Sequence, residues 1–267
     1  MSTVMQTISG TSTTGAEVRS RADKSQDSIT MSPRKGLARI AGFLWLVVGI
    51  SGGFAQGFME PKMYAAGNAA ATAANVVANP GLVRLGVVAE LVDSTVFIFL
   101  AMTLYILLKH VHKSVARAMV VLVALSTGIS CLNVVFEFEG LRVATDSAYA
   151  AALGTAGSNA LVMLLLDTQH YGVFIAQVFF GLWLVPIGYL AYKSSGLIPK
   201  WLGILLMVGA TCYIVDLLAM FLVPDLGQKI GSFIIIPSAI AEITMLAYLL
   251  VFGVRVSKPD KNILAAA

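Results

Sequence analysis

Four carboxylates stand inside runs otherwise almost free of charge: Glu90, Asp93, Asp216 and Glu242. An ionisable group in hydrocarbon costs roughly 2.5–3.5 kcal/mol on insertion scales, so each is a candidate for binding or proton transfer. Glu90 and Asp93 are spaced i, i+3, which puts both on one helix face with Ser94 a turn from Glu90. Asn133 and Glu137 repeat the pattern at i, i+4, and Asp216 follows Tyr213 by three residues. Asp167, His170 and Gln177 line up at spacings of three and seven. Glu242 follows Pro237, which predicts a kink in its helix.

Paired acids beside a histidine suit three kinds of chemistry. They can hold a ligand, act as general acid and base, or ligate zinc or iron. A metal set drawn from Glu90, Asp93, Glu137, Asp167 and His170 lacks any HExxH or CxxC support, so neither a metal nor a cofactor is expected. His110 and His112 belong to a basic loop far from these acids. Nucleophilic catalysis has no support either, since Ser94 and Ser130 lack a His partner and no GxSxG occurs. The bland reading is structural. Buried acids in helical bundles pair with Arg or with hydroxyl and amide donors, and Arg84 is available for Glu90, Asp93 or Asp216.

The elements that must position these residues are membrane spans. The chain has 267 residues, 58% of them hydrophobic and only 12% charged, with a mean hydropathy of +0.84. Several apolar runs exceed 18 residues, enough to cross about 30 Å of hydrocarbon at about 1.5 Å per residue. Residues 40–59, 84–108, 115–136, 171–192, 201–223 and 230–254 are the six expected spans. The fold class is therefore an all-α integral membrane bundle of about six transmembrane helices. A polar connection of roughly thirty residues after residue 136, holding a short interfacial helix near 160–166, is expected between the third and fourth spans. Residues 224–229 are expected to join the fifth and sixth.

Residues 1–36 are rich in Ser, Thr and Gly and read as a disordered cytoplasmic tail. Met31, just before Ser32-Pro33-Arg34-Lys35, offers an alternative start. Residues 37–255 form the transmembrane domain, and residues 256–267 a cytoplasmic C-terminal tail. With both termini inside, 14 of the 18 Lys and Arg residues face the cytoplasm; the other four are Lys62, Arg84, Arg142 and Lys229. The bases are spread over chain ends and short loops, which argues against a nucleic-acid partner. Glycines at 42, 49, 52, 53 and 57 allow close helix approach within the bundle or to another membrane protein or a second copy. Trp45, Tyr105, Tyr192 and Trp201 are expected as interfacial anchors.

Counted from the outer ends of their spans, Glu90 and Asp216 each lie about seven residues in, on the order of 10 Å. Asn133, Glu137, Asp167 and His170 fall at or above that level. An acidic, outward-facing cavity lined by Glu90, Asp93, Asn133, Glu137, His170, Tyr213 and Asp216 is expected, with Arg84 and Arg142 at its rim. Such a cavity would bind a small or lipid-like ligand, as in a transporter. The alternatives are a non-catalytic sensor or scaffold and an intramembrane enzyme acting on lipid.

One stretch is distinctive: VFFGLWLVPIGYLAYKSSGLIPKWLGILLMVGATCYIVDLLAMFLVP, from Val178 to Pro224. Gly188-Tyr189-Leu190 leading to Lys193-Ser194, Ile198-Pro199-Lys200 before Leu202-Gly203, and Tyr213-Ile214-Val215-Asp216 resemble a bacterial multi-pass family, domain of unknown function 4386 (DUF4386). Arg39-Ile40-Ala41-Gly42 shares the likeness, which covers about residues 36–255. The resemblance implies a six-helix bundle in the bacterial cytoplasmic (inner) membrane, places Asp216 in the family's fifth-helix motif and implies no activity.

Overall fold

The computed structural model describes residues 34–254; the readings of the tails on either side lie outside the described residues. Six helical stretches are long and apolar enough to span a membrane. The first, α1, runs from Arg34 to Met63 and contains a π-helical segment at Gly53–Met59. A short helix α2 follows at Ala69–Ala78, then α3 at Pro80–Leu108 and α4 at Lys113–Thr145. The fourth stretch divides into α5, Ser147–Leu182, and α6, Leu184–Lys193. The fifth is α7, Lys200–Leu222; the sixth divides into α8, Pro224–Ile234, and α9, Ile236–Val251.

The breaks have local causes. Proline has no N–H for the helical ladder and its ring crowds the carbonyl four residues back. Pro237 accordingly stands in the first turn of α9, as its position predicted, and Pro186 two residues into α6, behind the turn at Trp183. Within α5, Gly154 takes φ 70° and ψ 163°, a conformation open essentially to glycine alone.

The expected loop of thirty residues is instead helical. Helix α4 runs on to Thr145 and α5 begins at Ser147, so only Asp146 separates them. The Asp146 carboxylate accepts from the Ala148 amide at 2.9 Å and caps the new helix. At about 1.5 Å per residue, the 33 residues of α4 reach about 50 Å, well beyond the hydrocarbon core. The projecting hairpin is held by a second, smaller core. Met59 and Met63 from α1, Ala73 and Val76 from α2, Val83 from α3, Leu141 from α4 and Val162 and Leu166 from α5 pack together there. Polar composition hid this region, because its apolar face meets α2 rather than lipid. Residues 224–229 likewise form the first turns of α8, with Pro224 at its first position.

The larger core fills the other part of the bundle. Trp45, Phe97 and Trp183 pack there, Trp183 tilted against Trp45 at 5.0 Å and edge to face with Phe97 at 4.9 Å between ring centroids. Trp45 is buried and not an interfacial anchor; Trp201 and Tyr192 are exposed. Close backbone contact seals α6 to α7. A methyl on Gly203 would stand 2.5 Å from the Gly188 carbonyl, and one on Gly188 2.6 Å from that of Gly203. With little hydrophobic drive between helices in lipid, such fits carry the packing. Ile40, Phe43, Leu132, Val135, Ile175, Val208 and Ile243 point outward as a lipid-facing surface.

Candidate functional site

Against the smaller core, near the end of the bundle where α1 stops, polar side chains from four helices converge. The π-helical turn in α1 inserts one extra residue, which rotates the rest of the helix by about 100°. Glu60 and Tyr64 thereby reach α5. The Glu60 carboxylate stands 2.5 Å from His170 Nδ1, and the Tyr64 hydroxyl donates to Asp167 Oδ1 at 2.5 Å. Tyr64 also stacks on the His170 ring, with centroids 4.8 Å apart. Both members of this hydrogen-bonded pair are about three-quarters buried, with side-chain exposures of 26% and 23%. Burial, then the hydrogen bond to Asp167, push the Tyr64 phenol above its ordinary value.

Behind this pair lies a small cavity. Met59, Glu60, Met63, Tyr64, Glu137 and Gln169 are among its lining residues, closed by Val76, Val83 and Leu166. It leaves about 20 Å³ for the centre of a water-sized group, room for about one water. Glu90 reaches this region from α3 and accepts from Gln169 Nε2 at 3.5 Å, the weak limit of a hydrogen bond. Glu137 comes from α4 and is only 3% exposed, yet neither carboxylate oxygen has a hydrogen-bond partner. Its Oε1 lies so close to Gly86 that a methyl there would stand 3.1 Å away.

The seven residues expected in one cavity occupy several places. Of them Glu137 lines the small cavity, while Glu90 and His170 stand behind its lining, in contact with Gln169 and Glu60. Asp216 instead accepts from Gln177 Nε2 at 3.0 Å through Oδ2, while its Oδ1 is buried against Gly231 without a partner. Tyr213 donates to Glu242 at 2.9 Å. Asp93 lies against Gly52 of α1, whose added methyl would stand 3.1 Å from Oδ1. Asn133 packs onto Gly172 of α5, and its amide nitrogen is buried without a partner. The expected rim differs as well. Arg84 is exposed and in no ion pair among the described residues, and Arg142 pairs on the surface with Glu139 at 2.7 Å.

Sequence reasoning missed Glu60, Tyr64 and Gln169. The signal for Glu60 was present: an acid directly after an apolar span and before Pro61. Among the described residues, no three His, Cys, Asp or Glu side chains are grouped so that they could hold a metal ion.

A family model described as domain of unknown function (DUF4386) matches residues 40–253. An uncharacterized protein of Archaeoglobus fulgidus is 44% identical over 55 residues, which are 20% of this chain and 33% of the relative. The chain thus spans about a third of the length of that curated relative. No solved structure matches.

Proposed function

The chain belongs to the DUF4386 family, and from that premise we propose that it is a cytoplasmic-membrane protein that binds a small primary ammonium group in the cavity at Glu137. The observation that carries this reading is Glu137 itself, a buried carboxylate with both oxygens unpartnered beside a space of water size. An ionised carboxylate in such a place needs donors. An ammonium group is about as large as water and brings three, with Glu60 and Glu90 nearby to share its charge. Met59, Met63 and Val83 suit a short alkyl tail.

The excess of Lys and Arg at the opposite end of the bundle supports a cytoplasmic placement for that end and an outward-facing cavity. The large apolar core around Trp183 lies inward of the polar cluster, which favours binding over passage. Methylammonium is the probe. It is expected to raise the melting temperature of the wild type in detergent and not that of Glu137→Gln, while tetramethylammonium, bulky and without N–H donors, raises neither. Equal shifts in wild type and variant overturn the proposal.

A scaffold reading is favoured by one observation. Gly49, Gly53 and Gly57 on α1 are exposed with nothing within 4 Å of an added methyl, leaving their row free for a partner helix or a second copy.

A further inference from the structure

The end of the bundle opposite the cavity carries cations and no acids among the described residues. Antiparallel helices bring together the start of α1, the α3–α4 turn, the α6–α7 turn and the end of α9. Contacts join these ends. A methyl on Gly253 would stand 3.4 Å from the Lys35 carbonyl, the Tyr248 hydroxyl donates to the Leu197 carbonyl at 3.2 Å, and the rings of His112 and Tyr189 lie 6.2 Å apart edge to face. Arg34, Lys35, Lys109, Lys113, Lys193 and Lys200 are all exposed there. Residues 34–59, 94–136, 171–215 and 243–254 contain no Asp or Glu. None of these six cations enters an ion pair among the described residues.

The arrangement is layered. Lys109 Nζ stands 5.8 Å over the Tyr105 ring and Lys200 Nζ 5.6 Å over Tyr192. Aromatic rings thus lie between the ammonium groups and the apolar belt, the order found where headgroups meet hydrocarbon. At the centre, the Arg34 guanidinium acts on His110, whose imidazole is pushed below its ordinary value first by burial and then by that charge. Exposed like charges gathered at one end of the bundle, with no carboxylate among the described residues there, are relieved by an anion.

We propose that this face binds the headgroups of anionic phospholipids, through the exposed cations Arg34, Lys35, Lys109 and Lys113. A solvated positive surface that serves only to fix topology would show no preference among lipids. Juxtamembrane cations gain affinity for an anionic leaflet additively, by roughly fivefold for each Lys or Arg.

The test adds dioleoylphosphatidylglycerol or dioleoylphosphatidylcholine back to the full chain purified in detergent, reading melting temperature and lipid retained in native mass spectra. Phosphatidylglycerol is expected to be retained and to stabilise more than phosphatidylcholine. The variant Arg34→Gln/Lys35→Gln/Lys109→Gln/Lys113→Gln should lose that preference, with phosphatidylglycerol affinity down by at least tenfold. Lys62→Gln/Arg84→Gln/Arg142→Gln, at the other end, should keep it. If the fourfold variant does not fold, salt decides on the wild type, because a headgroup preference built on exposed charge must fade toward about 1 M salt, where screening acts within about 3 Å. Equal effects of the two lipids, a preference kept by the fourfold variant, or one indifferent to salt would each overturn the proposal.

Discussion

Removing the Tyr64 hydroxyl should loosen the end of α1 by an amount that the structure fixes fairly closely. The phenol donates to Asp167 at 2.5 Å. Hydrogen bonds to charged groups contribute about 1.5–3 kcal/mol, and partial exposure of Tyr64 places this one near the lower end, about 1.5 kcal/mol. For a chain of this size, that corresponds to a fall of about 3–6 °C in melting temperature for Tyr64→Phe. The double variant with Asp167→Asn separates the contact from its surroundings. If the hydrogen bond is what matters, the two losses overlap and the coupling in a double-mutant cycle is about 1 kcal/mol. Reversible unfolding in bicelles would measure it. Alkaline pH gives an independent readout. The folded-state pKa of Tyr64 is raised above the ordinary 10.0. Below pH 10 both states keep the proton; above it the unfolded chain loses the proton first, so stability falls as pH rises through 10. Tyr64→Phe lacks this loss, and the advantage of the wild type should shrink there. A coupling below about 0.3 kcal/mol, or an identical alkaline limb in wild type and variant, would refute the role given to this hydrogen bond.

Two further substitutions probe packing and charge. Gly203→Ala drives a methyl to 2.5 Å from the Gly188 carbonyl and 2.8 Å from the Tyr192 amide, both backbone atoms that cannot step aside; a loss of about 3 kcal/mol or more is expected, whereas Gly49→Ala, with open space around it, should be neutral or stabilising by up to about 1 kcal/mol in the same melting assay. At the basic end, the folded-state pKa of His110 is depressed below the ordinary 6.5, so the unfolded chain takes the proton first and stability falls as pH drops through 6.5. Arg34→Gln should raise the His110 titration followed by NMR and flatten that acid limb, and an unchanged titration would show that the guanidinium does not act on the ring.

Hydropathy made the six spans legible, because crossing a bilayer demands a length and composition that few other segments meet. Depth was less legible. Counting residues set Glu90 and Asp216 at similar levels, yet their partners Gln169 and Gln177 stand eight residues apart on α5, about 12 Å along its axis. What counting cannot give is which neighbour each residue faces. Glu90 turns toward Gln169 of α5 and Asp216 toward Gln177 and α8, so the two acids serve different clusters. Glu60 escaped for a related reason. Its direction depends on a π-helical turn that no periodicity in Gly53–Met59 announces. The extension of α4 escaped because residues 137–146 look like loop until α2 supplies the surface they pack on.

The five acids among the helices differ in how well the fold satisfies them, Asp93 having a hydrogen bond from Ser51, and that grading bears on the choice between structural and functional readings. Structural pairing requires donors, as at Glu242, which accepts from Tyr213 and has the Trp45 indole beside it. Asp216 has a donor for one oxygen and none for the other. Glu90 has a single contact at 3.5 Å. Glu137 has none, although the bundle could have turned an amide or hydroxyl toward it as it did toward Glu242. Leaving a buried polar group unmatched costs about 1–3 kcal/mol, and more when it is charged. A packing role offers nothing to offset that cost at Glu137, whereas a donor-bearing ligand in the adjoining cavity would. Arg84, the arginine best placed in the sequence to neutralise the acids, points outward. The unmatched oxygens of Glu137 are what the proposed ammonium ligand would satisfy.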